Sequence, residues 1–122
     1  MAQTFIGVGV VPTFAENLNA KKAIKAEATK LRALDVLNDT DKRIYLHLYD
    51  KAKTTDVADG TTKPIMPPIP VGPYDSIHLG PELVGRDFTF GIIAQALTKP
   101  RATEYLNAAA WGVDVTFWTR SN

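Results

Sequence analysis

Proline restricts a chain more than any other residue, and five of the eight prolines here fall in one stretch, Lys63–Pro73, KPIMPPIPVGP. Proline fixes φ and removes a backbone donor. Such a stretch can be a polyproline ligand, a stiff linker between domains, or part of a sheet. Read as extended chain, Ile65, Pro67, Ile69 and Val71 form one apolar row, and Pro64, Pro68 and Pro70 fall on the even positions. Backbone donors point to alternate lateral sides along a strand. The even prolines therefore strip donors from one edge only, while Ile65, Ile69 and Val71 keep theirs on the other. Pro67 breaks the pattern and marks a bulge. The spacing predicts an edge strand over Pro64–Val71 that pairs on one side and cannot template a foreign strand on the other. A linker would leave Ile65, Met66, Ile69 and Val71 in water, and a polyproline ligand needs no core-facing row. The stretch therefore argues for one domain rather than two.

A length of 122 residues suits one domain, and 45% apolar with 22% charged residues is enough for a packed core. A net charge of +1 gives no bulk field toward nucleic acid or an anionic membrane. Cysteine is absent, which excludes disulfides and thiolate metal sites. No apolar run reaches the ~18 residues of a membrane-spanning helix. The start, MAQTFIGVGVVPTFAENLN, has no basic residue ahead of its apolar stretch, which argues against a secretory signal. The expected organisation is an N-terminal arm or first strand over residues 1–20 and a single β-sandwich domain over 21–122.

The clearest signals have period two. In RIYLHLYDK, Ile44, Leu46 and Leu48 share one face and Tyr45, His47 and Tyr49 the other. In AAAWGVDVTFWT, Trp111, Val113, Val115 and Phe117 alternate with Gly112, Asp114, Thr116 and Trp118. In RDFTFGIIAQALT, Phe88 and Phe90 alternate with Asp87 and Thr89, which predicts one strand. DSIHLG adds a brief strand with Ile77 and Leu79 after the GPYD turn, and TTDVADGTTK reads as a polar loop. Residues Ala15–Asn38 are ambiguous. Their Ala, Lys, Glu and Leu content, with Ala20, Ile24, Ala28 and Leu31 at helical spacing, favours helix, yet Ile24, Ala26 and Ala28 also alternate with Lys25, Glu27 and Thr29. Six to eight short strands with turns between them indicate an all-β antiparallel sandwich.

Catalytic signals are sparse. The two histidines, His47 and His78, both lie in strand patterns. Ser76 and His78 share a face, but the sequence indicates no third group to orient them. DVADG lacks the ligand spacing of a calcium loop, and GVGVV lacks the pattern of a phosphate loop. The basic cluster of Lys21, Lys22, Lys25, Lys30 and Arg32 has no interleaved aromatics and reads as a solvated face. No cofactor or metal is expected.

Interaction signals are stronger. Phe5, Ile6, Val8, Val10, Val11 and Phe14 make an apolar N-terminal arm that requires either a partner surface or its own sheet. Trp118 falls opposite the Trp111/Phe117 row, on the outer face if that row is core, where a large aromatic can anchor a partner. Tyr45 and Tyr49 raise the same possibility, unless their strand is central and covered on both faces. The candidate partner interface is therefore Phe5, Ile6, Val8, Val10, Phe14, Tyr45, Tyr49 and Trp118.

RIYLHLYDKAKTT, followed by PIMPPIPVGPYDSIHLGPELVGRDFTFGIIAQAL and VDVTFW, resembles a family of small virion proteins of tailed bacteriophages. The resemblance covers about Ile24–Phe117 and is carried by Tyr45, Leu46, Leu48, Tyr49, Asp50, Lys51, Gly60, Thr61, Pro64, Ile69, Pro70, Leu79, Phe88, Gly91, Ile92 and the Val113/Val115 pair. It also favours strand for Ala20–Asn38. The resemblance implies a jelly-roll-like sandwich, made in the host cytoplasm, that decorates or cements the outer surface of the capsid. The implied partners are the major capsid protein and further copies of the chain, as a homodimer or homotrimer. It implies no catalytic residues, no nucleic acid and no membrane. The chain departs from the family pattern in its denser prolines, its more apolar arm, and Arg101–Gly112 in place of a Thr/Asp-rich loop. A sugar- or receptor-binding module of a tail or fibre, stacking ligand on Tyr45, Tyr49 or Trp118, is the alternative expectation.

Overall fold

The computed structural model describes residues 9–58, 61–99 and 112–121. Within them the period-two segments form nine strands: β1 (Val11–Ala15), β2 (Lys22–Lys25), β3 (Thr29–Asn38), β4 (Ile44–Tyr49), β5 (Ile69–Val71), β6 (Ser76–Leu79), β7 (Arg86–Phe88), β8 (Ile92–Leu97) and β9 (Val113–Ser121). A single helical turn, α1 (Pro81–Val84), separates β6 from β7, and a 3₁₀ turn covers Thr54–Asp56. All strand pairs are antiparallel. One sheet runs β1-β9-β3-β6, with β7 pairing beside β6 along the same edge of β3; the other runs β2-β8-β4-β5. Rolling up one long hairpin gives this order, with β4 and β5 at its tip and β1 and β9 at its open end. The chain is an all-β antiparallel sandwich with jelly-roll connectivity.

The core lies between the sheets. Leu31, Leu34 and Val36 of β3 and Val113, Val115 and Phe117 of β9 face Ile44, Leu46 and Leu48 of β4 and Ile92, Ala94 and Ala96 of β8. Leu18 joins the layers: its N–H donates to Val113 O and its carbonyl accepts from Ala96 N, at 3.0 and 2.8 Å. Asn38 is the second joint. Its fully buried amide faces the carbonyls of Lys42, Val71 and Gly72, and its Oδ1 accepts from the N–H and hydroxyl of Thr40.

The proline stretch is an edge, in a shorter form than expected. β5 covers only Ile69–Val71, at the end of its sheet, with Ile69 and Val71 buried and Pro70 exposed. Its register sets Leu46 opposite Ile69, so unbroken pairing would bring Pro67 to Leu48. Pro67 has no N–H to give. The chain bends at Ile65–Met66, and the Ile65 N–H donates to Leu48 O instead, at 2.9 Å.

One ambiguity is resolved toward strand, and one expectation is corrected. The ambiguous segment is strand: β2 pairs with β8, with a register shift at Ile24, which packs against the core. Packing of the partly buried Ile24 and edge pairing outweigh intrinsic helix propensity, and the exposed Lys22 suits an edge. The run RDFTFGIIAQALT is two strands in different sheets. β7 pairs with β3 and β8 with β2 and β4. Between them the Asp50 carboxylate accepts from the N–H groups of Thr89, Phe90 and Gly91, at 3.0, 2.8 and 3.4 Å, so Phe90 is exposed rather than paired.

The outer face of the β2-β8-β4-β5 sheet is itself covered. Tyr49, Ile93 and Val57 form a second buried cluster, with Val57 following the 3₁₀ turn. His47 is fully buried on the same face, stacked near Tyr49. Its Nε2 lies 3.1 Å from Lys99 O, which fixes that nitrogen as the donor, and Nδ1 has no partner among the described residues. Burial holds its pKa below the ordinary 6.5, with the Lys99 carbonyl pulling the other way. The unfolded chain therefore binds a proton near pH 6.5 that the fold resists. Stability contributed by neutral His47 is complete above that pH and falls as pH drops below it, at a limiting slope of about 1.4 kcal/mol per pH unit. We expect melting temperature to decline from about pH 7 to about pH 5 and His47→Phe to flatten that decline. Parallel pH profiles for the two proteins would refute this assignment.

Candidate functional site

With one outer face covered, the open face of the β1-β9-β3-β6 sheet is where outward side chains meet solvent. The registers set them in rows. Phe14 on β1 lies opposite Thr116 on β9, Thr116 opposite Asp35 on β3, and Asp35 opposite His78 on β6. In the next row Asp114, Leu37 and Ser76 align. In the row on the other side Pro12, Trp118 and Ala33 align. A bulge at Arg32 switches parity in β3, so that Ala33, Asp35 and Leu37 face outward while Leu31, Leu34 and Val36 face the core.

Asp35 organises this face. One carboxylate oxygen accepts from Trp118 Nε1 at 2.8 Å, along the diagonal of the β3–β9 ladder. The other lies 2.6 Å from His78 Nδ1, across the β3–β6 ladder. Both Asp35 and His78 keep nearly half of their side-chain surface exposed. The indole is thus oriented from the side rather than left to rotate. Around it the face is apolar in patches: Phe14 is 62% exposed and Leu37 44%. Between these two lies a depression of about 200 Å³ over Asp114 and Thr116.

The Asp35–His78 pair supplies the orienting carboxylate that the sequence did not reveal for Ser76 and His78. Among the described residues no hydrogen bond joins the Ser76 hydroxyl to the imidazole, so the nucleophile–base contact of acyl transfer is not formed. Nor does any group of three or more His, Asp or Glu among the described residues lie where it could hold a metal ion.

The structure brings together only part of the expected interface. Phe14 and Trp118 share the open face, and Val10 is half-buried just ahead of β1. Phe5, Ile6 and Val8 lie outside the described residues. Tyr45 is half-buried on the opposite sheet, between Leu97 and Pro70. Tyr49 is 1% exposed in the cluster with Val57 and Ile93, and no partner can reach it. Its strand is covered on both faces. Sequence reasoning missed Asp35, Leu37, His78 and Asp114 as members of one surface. The available signal was Asp35, a carboxylate at an alternating position inside the apolar run ALDVL.

The class so defined is a jelly-roll sandwich with one covered and one open sheet face. Comparison with known proteins adds no relative: no family model, no curated protein and no solved structure matches the chain.

Proposed function

We propose that the chain is a structural virion protein that binds the outer surface of a bacteriophage capsid and stabilises it without chemistry. The observation that carries this reading is the asymmetry of the sandwich. One sheet buries His47 and Tyr49 on its outer face, and the other presents Phe14, Leu37 and an oriented Trp118 on a single face. The resemblance of RIYLHLYDKAKTT and the segments after it to phage virion proteins supports the same role. The two ends of the second sheet, β2 with its lysines and β5 with Pro70, suit a protein that docks by a face and avoids strand exchange. The partners are the major capsid protein and other copies of the chain. One such contact would contribute little after an association cost of roughly 4–15 kcal/mol. Repetition over a closed shell makes release cooperative and slow.

Shells stripped of the protein should release their contents at lower temperature than complete shells, and adding purified protein should restore the difference. Phe14→Ser should weaken rebinding while shifting the isolated protein's stability by no more than about 0.5 kcal/mol, because the ring is largely exposed. Trp118→Ala is a poorer probe, since it also removes the bond to Asp35. Identical release from bare and restored shells would reject the role.

The oriented Trp118 with Asp35 and His78 beside it also suits a second reading, a sugar- or receptor-binding module of a tail or fibre. Jelly rolls serve in both shells and lectins, so fold alone does not choose. Copy number per particle separates the two, hundreds against a few.

A further inference from the structure

The depression on the open face is a trough that runs along β9. Asp114 and Thr116 are its floor, Phe14 on β1 is one wall, and Leu37 on β3 is the other. The walls stand two strand spacings apart, ~9–10 Å, which admits one extended aliphatic chain. Its charge is one-sided. Asp35 and Asp114 both line it, and among the described residues no lysine or arginine does. Asp114 uses Oδ1 to accept the Asn17 N–H at 2.8 Å, and Oδ2 remains for a ligand. Arg120 on β9 and its partner Lys30 on β3 lie beyond Trp118, toward the other end of β9.

We propose that this trough receives the side chain of a lysine or arginine presented by a partner polypeptide. The aliphatic stem packs between Phe14 and Leu37, and the charged head meets Asp114 with Asp35 behind it. Each part of the occupant is called for by a different part of the trough. An acidic side chain would face two carboxylates, and a purely apolar one would cover Asp114 without replacing its water. The contact to Asp114 is charge-assisted, and with arginine it gains a second donor. Trp118 and His78 hold Asp35 in place before the partner arrives, so little ordering is needed on binding. The inference rests on the docking reading only for the source of that side chain.

The test uses the full chain and n-butylguanidinium chloride as a probe, followed by NMR. Saturable shifts are expected at the amides of Leu37, Ser76 and Thr116 and at the Trp118 indole N–H, with a dissociation constant in the millimolar range. n-Butanol should give shifts at least about tenfold weaker. Asp114→Asn keeps an oxygen for the Asn17 N–H, so it should fold, yet it should weaken the probe by about tenfold. Equal binding of butanol, or an unaffected Asp114→Asn variant, would overturn the proposal. So would broadening of the same signals on raising protein concentration without probe, because the occupant would then be a second copy of the chain. Shell binding by a protein that ignores the probe would reject the trough and leave the docking role standing. Probe binding by a protein that ignores shells would do the reverse.

Discussion

Replacing Gly91 with alanine is expected to remove about 3 kcal/mol or more of stability, a large fraction of the roughly 5–15 kcal/mol typical of a domain. Gly91 has φ near +150°, a backbone state that L side chains rarely adopt. An added Cβ would stand 2.3 Å from Lys25 O and 2.9 Å from Lys51 O. Both are backbone atoms held by neighbouring segments, so relief requires moving the end of β2 or the chain after β4. The crossing from β7 to β8 is pinned again by Asp50, whose carboxylate takes the three successive amides there. At ~4–8 °C per kcal/mol, the melting temperature should fall by more than about 12 °C. Gly72→Ala is the control. Among the described residues its Cβ would meet nothing closer than Asp75 Oδ2 at 4.0 Å, and its effect should stay within about 0.5 kcal/mol. Equal denaturation midpoints for the two variants would contradict the close approach at Gly91.

Asn38→Ala should cost about 2–4 kcal/mol, and Asn38→Asp should cost more at neutral pH. The alanine leaves the carbonyls of Val71 and Gly72 without the amide that satisfies them, and frees Thr40 from its acceptor. Because Asn38 ends β3 in one sheet and Val71 ends β5 in the other, the loss also loosens the joint between layers. Aspartate keeps the acceptor for Thr40 but sets a charge against three carbonyl oxygens. Burial would raise the introduced carboxyl's pKa, so acid should narrow the gap between the two variants, as protonation removes the charge. Urea denaturation at two pH values checks the order. An aspartate variant as stable as wild type would show that the amide's donors do not matter.

Local periodicity made the strands legible. Alternation of Ile44, Leu46 and Leu48, and of Val113, Val115 and Phe117, marked core faces that the structure reproduces. Of the even prolines, Pro70 lies in the edge strand that forms, and Pro64 and Pro68 fall ahead of it. Where the reading was ambiguous or wrong, local chemistry and long-range pairing disagreed. Leu31 and Leu34 stand three apart, as on a helix, because the bulge at Arg32 adds a residue to a strand. Phe88 and Phe90 alternate, yet Asp50, about 40 residues away, turns the chain between them. The site was less legible than the fold. Trp118 could be placed on an outer face by parity alone. Its bond to Asp35 spans 83 residues, and the Asp35–His78 contact spans 43. No spacing rule carries such pairs. Tyr49 is buried in the structure rather than exposed, because parity says which face a side chain occupies and not what covers that face.

The proposed docking role calls for a phage particle that contains this chain, and high-resolution imaging of such a particle tests it most directly. Many symmetry-related copies are expected on the outside of the head. Each should turn its β1-β9-β3-β6 sheet toward the shell, with Phe14, Leu37 and Trp118 inside the contact and a basic side chain of the neighbour over Asp114. Copies confined to the tail, or sandwiches attached through the covered sheet with Phe14 and Trp118 left in solvent, would contradict it.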